Sequence, residues 1–276
     1  MQLRLPRAPD GTAPPRPRPP GARALVAIGL ALAAAAVAFS GLVAINSMAG
    51  QTVHESHTYA FSGKTLSIDA ALGEVKIVPG EAGTITVVRT LSYGLRRPFV
   101  EERIDGDTFR IRDAACTADT FFPCGVRWLL QVPRGLRVEV RTVAGSILAS
   151  GLSGTVKLTS TSGSVKALAP SGALVTLRSH AGMVTAQNVS SAQVVATSDS
   201  SDVNLTFRAP PALVIGRSQS GRVGVVLPDG DQAYKITAEA GGSRTVAVAK
   251  TDDQAKRKID IRSARGDVSV FQSPDN

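Results

Sequence analysis

The histidines are the first candidates for chemistry, because imidazole serves as a metal ligand and as a general acid or base. The chain has three, His54, His57 and His180. His54 and His57 stand in a polar segment (HESH), where two ligands alone make a poor metal site. His180 occupies a polar position between Ser179 and Ala181, which predicts an outward side chain. A Ser-His-Asp triad stays open because serine is abundant, although the chain lacks a Gly-x-Ser-x-Gly nucleophile elbow.

Two acidic pairs flank turns, and their carboxylates are the kind of ligand that calcium prefers. Asp199 and Asp202 flank a Ser-Ser pair, and Asp229 and Asp231 flank Gly230. Neither pair follows the regular acidic spacing of a calcium-binding loop, so solvated turn residues are the favoured interpretation. The sequence therefore predicts no catalytic, cofactor or metal site, and no enzymatic activity.

The only two cysteines, Cys116 and Cys124, are separated by seven residues (CTADTFFPC). An even count at short spacing predicts one structural disulfide that pins a surface loop, provided that this part of the chain lies outside the cytoplasm. A redox pair or metal ligands remain the alternative. Redox pairs usually sit closer together, and a zinc site needs more ligands than two thiols.

Residues 24–45 form an uncharged, largely apolar run (ALVAIGLALAAAAVAFSGLVAI) that predicts one membrane-spanning helix. At 1.5 Å per residue this helix is roughly 33 Å long, enough to cross the hydrocarbon core. The run is apolar on all sides, which argues against a buried helix of a soluble domain. A cleaved signal peptide is the alternative, because Ser47 and Ala49 are small residues at the positions needed for a cut after Ala49.

The flanks of the apolar run predict its orientation. Residues 1–23 are rich in arginine and proline, so we expect a disordered tail that the positive-inside rule places in the cytoplasm. Residues 46–59 are expected to form a polar stalk, and residues 60–272 an extracytoplasmic domain. The predicted localisation is the cell membrane, crossed once, with the C-terminal domain outside.

The composition limits the partners. The formal charge is +9, but part of the excess lies in the N-terminal tail, and no basic stripe typical of nucleic-acid binding is visible. The mildly basic remainder would attract anionic wall polymers or lipid headgroups weakly, although a solvated surface without such a partner is the simpler interpretation. Aromatic residues make up 4% of the chain, so the core must consist of valine, leucine, isoleucine and alanine.

An internal repeat is the most informative pattern in the chain. Its template is apolar-x-apolar-x-small-x-small-Gly-x-apolar-x-apolar, as in Val156, Leu158, Ser160, Ser162, Gly163, Val165 and Ala167. The anchor of the template is a glycine or its substitute. The anchors, which we predict to be turn residues, are Gly73, Gly145, Gly163, Gly182, Ser201, Gly221, Gly241 and Gly266.

Alternation with period two predicts strands with one buried face, and the glycine marks a turn at which the inward face is kept. One repeat cannot bury its apolar face alone, whereas stacked repeats can. We therefore predict an all-β, right-handed β-solenoid (β-helix) of about 19-residue coils, preceded by the transmembrane helix. An antiparallel β-sandwich is the alternative.

The stack has two predicted features. The serines before the anchors should form a small-residue column at one corner; they are Ser160, Ser179, Ser198, Ser218 and Ser263. Residues 80–135 break the pattern and are expected to form an irregular capping part, whereas residues 136–272 form the regular repeats.

The Ser-Gly-x-Val repeat and the single apolar helix resemble the bacterial "putative adhesin" family of β-strand-repeat domains. The resemblance covers residues 60–272. It implies an extracytoplasmic β-solenoid and assigns no catalytic residues. The longer last spacing and residues 80–135 depart from a uniform repeat.

Three functions are compatible with these patterns. The favoured one is a membrane-anchored surface protein that binds wall polymer or another surface or membrane protein, or that acts as a scaffold. The second is an accessory of envelope-stress signalling that works with a membrane partner. The third, a glycan-active enzyme, would need charged residues clustered on successive coils. No cofactor, no nucleic-acid partner and no particular oligomeric state is predicted.

Overall fold

The computed structural model describes residues 22–49, 51–94, 97–114 and 124–273, and the chain divides into two compact units after Met48. The first unit contains one α-helix, α1 (Ala22–Ala49), which includes the predicted span, residues 24–45. Within the described residues no helix combines the length and the hydropathy that crossing a membrane requires. The second unit is built from strands.

In the described part of the chain, 21 strands form two sheets of eleven and ten strands. The strands are β1 (Gln51–Ala60), β2 (Thr65–Leu72), β3 (Val75–Pro79), β4 (Thr84–Tyr93), β5 (Phe99–Asp105), β6 (Thr108–Ala114), β7 (Gly125–Val132), β8 (Arg137–Ala144), β9 (Ile147–Ser150), β10 (Val156–Ser160), β11 (Val165–Leu168), β12 (Leu174–Ser179), β13 (Val184–Val189), β14 (Gln193–Ser198), β15 (Val203–Phe207), β16 (Leu213–Ser218), β17 (Val223–Leu227), β18 (Tyr234–Ala240), β19 (Arg244–Ala247), β20 (Arg257–Ser263) and β21 (Val268–Gln272).

Each repeat contributes one strand to each sheet. We call the eleven-stranded sheet A, with the order β1-β4-β7-β3-β9-β11-β13-β15-β17-β21-β19, and the ten-stranded sheet B, with the order β18-β20-β16-β14-β12-β10-β8-β2-β6-β5. From β8 to β17 the chain alternates strictly between the sheets, and neighbouring strands within a sheet are parallel. The predicted all-β fold is confirmed, and the sandwich of antiparallel sheets is excluded for these strands.

The core lies between the sheets and consists of rows of aliphatic side chains. Residues at equivalent repeat positions stack in register from strand to strand. The row of sheet B that includes Val156 also contains Leu66, Val138, Val175, Val194, Val214 and Ile259, and all of them are buried. These rows bury the alternating apolar residues of every repeat.

The order of the coils in space differs from their order in the chain at both ends. The coil β20–β21 lies between β16–β17 and β18–β19, although it comes last in the sequence. At the other end, β6 pairs with β2 and β7 pairs with β3, on the side of β2–β3 away from β8–β9. The predicted irregular part, residues 80–135, therefore contains one regular parallel coil, β6–β7.

Antiparallel strands close the N-terminal end of the stack. In sheet A, β4 pairs with β7 and β1 pairs with β4, and in sheet B, β5 pairs with β6. The predicted polar stalk, residues 46–59, is wrong, because β1 covers Gln51–Ala60. The segment can be polar because β1 is an edge strand, which pairs with β4 through its backbone. The side chains of β1 also meet polar partners: the hydroxyls of Thr58 and Thr86 lie 3.1 Å apart.

Candidate binding surface

The predicted corner serines stack in one column, where they join successive turns. Ser179 is fully buried; its Oγ accepts a hydrogen bond from the Gly182 amide at 2.8 Å and donates one to the Gly163 carbonyl at 2.8 Å. Each serine therefore satisfies its own turn and the turn of the neighbouring coil. The same two bonds recur at Ser160, Ser198, Ser218 and Ser263.

The turn glycines lie against the turn of the neighbouring coil, which leaves no room for a side chain. A Cβ atom at Gly163 would lie 1.9 Å from the Gly145 carbonyl oxygen, and one at Gly145 would lie 1.7 Å from that of Gly73. Gly73 also has a φ of +117°, a conformation that favours glycine. The column continues through Gly182, Gly221 and Gly266. Ser201 takes the place of a glycine between Gly182 and Gly221, and its Oγ donates to the Ala181 carbonyl at 2.9 Å.

Gly241 lies in the bend that follows β18 but outside this column. A Cβ atom there would approach the Ala264 carbonyl oxygen, and it is Gly242 that lies against Gly266. The register explains the offset, because Ala240 pairs with Ser263 whereas the repeat template aligns Ala238 with that serine. The turn after β18 is one or two residues out of step with the others.

The outer face of sheet B carries a row of arginines that we call the arginine row. The row runs across the parallel strands, so that each coil contributes one residue. From the N-terminal end of the stack its members are Arg112, Asp69, Arg141, Thr159, Arg178, Thr197, Arg217, Arg262 and Glu239. Guanidinium groups stay charged at all physiological pH values and bind carboxylates or phosphates through paired hydrogen bonds.

Carboxylates partly neutralise the arginine row at both ends and at Arg217, whose Nη2 lies 3.6 Å from Asp260 Oδ2. Arg262 donates to Asp260 at 2.9 Å and to Glu239 at 3.0 Å, and Arg141 donates to Glu139 at 2.8 Å. The Asp260 and Glu239 carboxylates raise the pKa of Arg262, with Asp260 the larger cause. Among the described residues, Arg178 has no ion-pair partner. Its exposed guanidinium is the free cation at the centre of the row.

A shallow pocket of about 440 Å³ extends from the centre of the row to its C-terminal end. It is lined by Arg178, Thr197, Arg217, Arg262 and Glu239 of the row, together with Asp199 and Gln219 of the adjoining turns. The pocket is open, which suits a segment of a polymer rather than an enclosed small molecule.

The outer face of sheet A differs from that of sheet B. Its corresponding outward row is mostly uncharged and contains Leu129, Lys76, Leu148, Lys166, Thr185, Asn204, Gly224 and Ser269.

A second polar cluster closes the N-terminal end of the core. Arg89 donates to Glu102 and to Glu55, both at 2.6 Å, and Tyr59 donates to Glu102 at 2.7 Å. Arg97 also pairs with Glu55. Burial raises the pKa of Glu55, but hydrogen bonds and charges from Arg89 and Arg97 outweigh it, so that the pKa lies below its ordinary value. The groups satisfy one another, which is typical of a structural cluster.

The predicted histidine and acidic candidates are scattered. His54 Nδ1 lies 3.0 Å from Thr90 Oγ1 on β1 and β4, and His57 lies 3.6 Å from Glu102. His180 Nδ1 lies 2.5 Å from Asp199 Oδ2, an exposed pair on adjoining turns. Within the described ranges there is no group of three or more side chains that could hold a metal ion.

The remaining candidates from the sequence are the turn aspartates and the two cysteines. Asp202 accepts a bond from the Arg222 amide at 2.8 Å, which fixes a turn. Cys124 is disulfide-bonded, whereas Cys116 lies outside the described residues, so the predicted pairing of the two stays a prediction. No bond is described for Asp229 or Asp231, which flank the turn at Gly230.

Sequence reasoning missed the arginine row, although a signal for it exists. Arg141, Arg178, Arg217 and Arg262 each stand four residues before a repeat anchor. Threonine occupies the same position in the two intervening repeats, which hides the pattern. The outward position was therefore interpreted as isolated charges among threonine and serine.

Comparison with known proteins bears on the repeat region. Residues 136–271 match the family model described as Toastrack DUF4097, a segment that starts just before β8 and ends within β21. The strands β1 to β7 lie outside the match. The search among curated proteins finds no similar sequence.

Solved structures with a similar fold come from bacteria. A putative adhesin from Bacteroides fragilis shares 11% identity, with a TM-score of 0.50, over 79% of this chain and 97% of its own. A putative adhesin from Parabacteroides distasonis shares 13% identity, with a TM-score of 0.43, over 80% of this chain and 97% of its own. At these identities the likeness concerns the fold alone.

Proposed function

We propose that the chain is a non-enzymatic binding protein of the bacterial cell surface, because residues 136–271 match the model of the Toastrack DUF4097 family, an adhesin-like β-repeat family of unknown function. Its ligand is an anionic polymer of the cell envelope, held by the outer face of sheet B. The arginine row carries this proposal: from β8 to β16 every second strand of sheet B presents an arginine, with the free cation Arg178 at the centre. Electrostatic attraction of this kind favours extended polyanions.

The description of the Bacteroides fragilis neighbour as a putative adhesin supports a binding role. Further support comes from the site itself, because an exposed row on a regular sheet offers many equivalent weak contacts. Such contacts gain strength through multivalency when the ligand is itself a repeating chain.

Anchoring by α1 is part of the proposal. The helix covers Ala22–Ala49 and includes the uncharged residues 24–45, and its apolar side chains such as Ile28 and Leu30 are exposed. The arginine-rich residues 1–23 favour a cytoplasmic N-terminus. The coils are expected to wind right-handed, because parallel strands joined through a crossover do so almost without exception.

The binding proposal can be tested with the full-length protein in a neutral detergent and isolated bacterial envelope material. We expect the protein to sediment with the material at low salt and to be released as salt rises. The triple variant R141Q/R178Q/R217Q, which loses three pairs, should bind at least about a hundredfold less, whereas R134Q/R208Q/R222Q, which removes the same charge from exposed turns, should bind like the wild type. Equal loss in both variants would mean that net charge alone drives binding.

The anchoring proposal has a separate test in cells that produce the full chain. Protease added to intact cells should digest residues 50–276 and leave a membrane fragment that contains residues 24–45. A mature chain that begins near residue 50 and is found free in the medium would show that the apolar run is a cleaved signal peptide. A protected domain would overturn the surface location.

A further inference from the structure

The spacing of the arginine row restricts the distance between the acidic groups of its ligand. Arg141, Arg178 and Arg217 lie on β8, β12 and β16, with one strand between each pair. Neighbouring strands lie about 4.8 Å apart, so successive arginines of this series are about 10 Å apart along the stack. That distance is close to the length of two linked sugar rings.

The positions between these arginines are also regular. Thr159 and Thr197 occupy the intervening strands in the same row, and both are half-buried. A threonine hydroxyl donates and accepts hydrogen bonds, as the hydroxyl groups of a sugar require. It offers no charge to an acidic group, so an anion placed there would be desolvated without a partner.

The adjoining outward row carries charges at its ends and uncharged side chains at its centre; it contains Glu139, Lys157, Thr176, Val195, Ile215 and Asp260. The central residues Thr176, Val195 and Ile215 lie on β12, β14 and β16, beside Arg178 and Arg217, and are half-buried. The faces of sugar rings carry C–H groups that pack against such side chains, whereas a flexible polyphosphate backbone has no comparable apolar face. The surface thus combines spaced cations, hydroxyls and apolar patches.

From this geometry we infer that the ligand is a linear acidic polysaccharide with one carboxylate in every two sugars, lying along the stack across the strands of sheet B. Its successive carboxylates pair with Arg141, Arg178 and Arg217, and the uncharged sugars between them lie over Thr159 and Thr197. This inference rests on the proposed function and names its ligand class. The acidic groups recur at the same interval as the arginines, so several pairs form at once.

The test uses hyaluronan, which carries one carboxylate per disaccharide, and polygalacturonate, which carries one on every sugar. The decisive variant is R178T/T197R of the full-length protein, which keeps the composition and the charge but moves the central arginine by one strand. Both positions are outward on strands, so circular dichroism and thermal unfolding should match the wild type. R178Q and the turn variant R208Q serve as charge controls.

We expect R178T/T197R to bind hyaluronan about tenfold more weakly than the wild type, the loss expected for one charge-assisted pair. Its binding to polygalacturonate should change less than twofold, because a carboxylate meets the arginine at either position. R178Q should weaken binding to both polymers, and R208Q to neither.

Two outcomes overturn the inference and leave the proposed function intact. The first is unchanged hyaluronan binding by R178T/T197R together with weaker binding of the triple variant to envelope material, which would show that spacing is irrelevant. The second is binding of envelope material, but of neither polysaccharide, by the wild type. If the wild type binds neither envelope material nor either polysaccharide, the proposed function itself is overturned.

Discussion

Arg89 and Glu102 meet from opposite sheets, with Nη1 of Arg89 2.6 Å from Oε1 of Glu102, at the place where the apolar core ends. Arg89 pairs with Trp128 in sheet A, and Glu102 pairs with Ile111 in sheet B, so both continue the inward rows of the core. Inward-pointing charges at the end of a stack discourage another sheet from adding to it. The pair therefore closes the core, and Glu102 lies on β5, the edge strand of sheet B.

Removal of Glu102 should destabilise the domain strongly. The carboxylate is 4% exposed and its partner Arg89 is 14% exposed, so Glu102→Ala leaves a buried cation with fewer partners. Breaking such a pair costs about 3 kcal/mol of unfolding free energy. Urea unfolding followed by the fluorescence of Trp128 measures this loss.

The control is Glu101→Ala on the same strand. Glu101 faces outward and pairs with the exposed Arg103 at 3.4 Å, and an exposed pair of this kind contributes about 0.5 kcal/mol. If the two variants unfold at the same urea concentration, the cluster does not hold the end of the core together.

The serine column makes a second prediction. Ser179→Ala removes an acceptor from the Gly182 amide and a donor to the Gly163 carbonyl, at a fully buried position. Leaving buried polar groups unpaired costs about 2 kcal/mol. Ser162→Ala, which removes an exposed bond to the Val143 carbonyl, should change stability far less. Similar thermal unfolding of the two variants would contradict a structural role for the column.

The turn glycines predict a steric effect of substitution. At Gly163 a methyl group would lie 1.9 Å from a backbone oxygen, so Gly163→Ala must displace a neighbouring turn and should cost about 2 kcal/mol or more. Gly224→Ala is the matched control, because its neighbours, Asn204 Oδ1 at 3.3 Å and Ser269 Oγ at 3.6 Å, belong to side chains that can move. Chemical unfolding should show the control to be neutral or slightly stabilised, and equal losses would refute the steric argument.

The periodic part of the fold could be predicted from the sequence because local and global patterns agree there. In the repeat around Gly163, alternation of Val156, Leu158 and Ser160 fixes both the strand and its inward face. The polar strand β1 could not be predicted in this way. Its stability comes from backbone pairing and from partners such as Arg89 for Glu55, which are distant in the chain.

The order of the coils was equally inaccessible, because a repeat pattern specifies each coil and not its neighbours. The repeat anchored at Gly266 has the same apolar template as the one anchored at Gly221, so nothing local tells that the two are adjacent. The weak template around Gly241 and the longer last spacing are the only local traces of the rearrangement. The arginine row was missed for a related reason, since its members meet only when coils stack.

The inserted position of β20–β21 can be tested by truncation after residue 256. This removes the coil that separates β16–β17 from β18–β19, so Tyr234–Ala240 should lose its parallel partner and become sensitive to protease. A chain stacked in sequence order would lose only a terminal coil and keep that strand protected. Limited proteolysis with mass spectrometry distinguishes the two, with the full-length chain as the control.

The alkaline limit of the N-terminal cluster follows from Tyr59. Burial, with the hydrogen bond to Glu102 and its charge, raises the pKa of Tyr59 to about 12 from 10.0. A raised phenol pKa favours the folded state below pH 10.0, and this contribution is lost as the pH rises through about 12. We expect the absorbance titration of tyrosine ionisation in Tyr59→Phe to lack the transition of one phenol with a pKa of about 12.

The charge of Glu102 is responsible for part of that shift, so Glu102→Gln should lower the pKa of Tyr59 while burial keeps it above its ordinary value. Glu101→Gln, which alters an outward carboxylate on the same strand, should leave the titration unchanged. An unaltered titration in Glu102→Gln would show that burial alone raises the pKa, and that the bond between Tyr59 and Glu102 at 2.7 Å does not persist in solution.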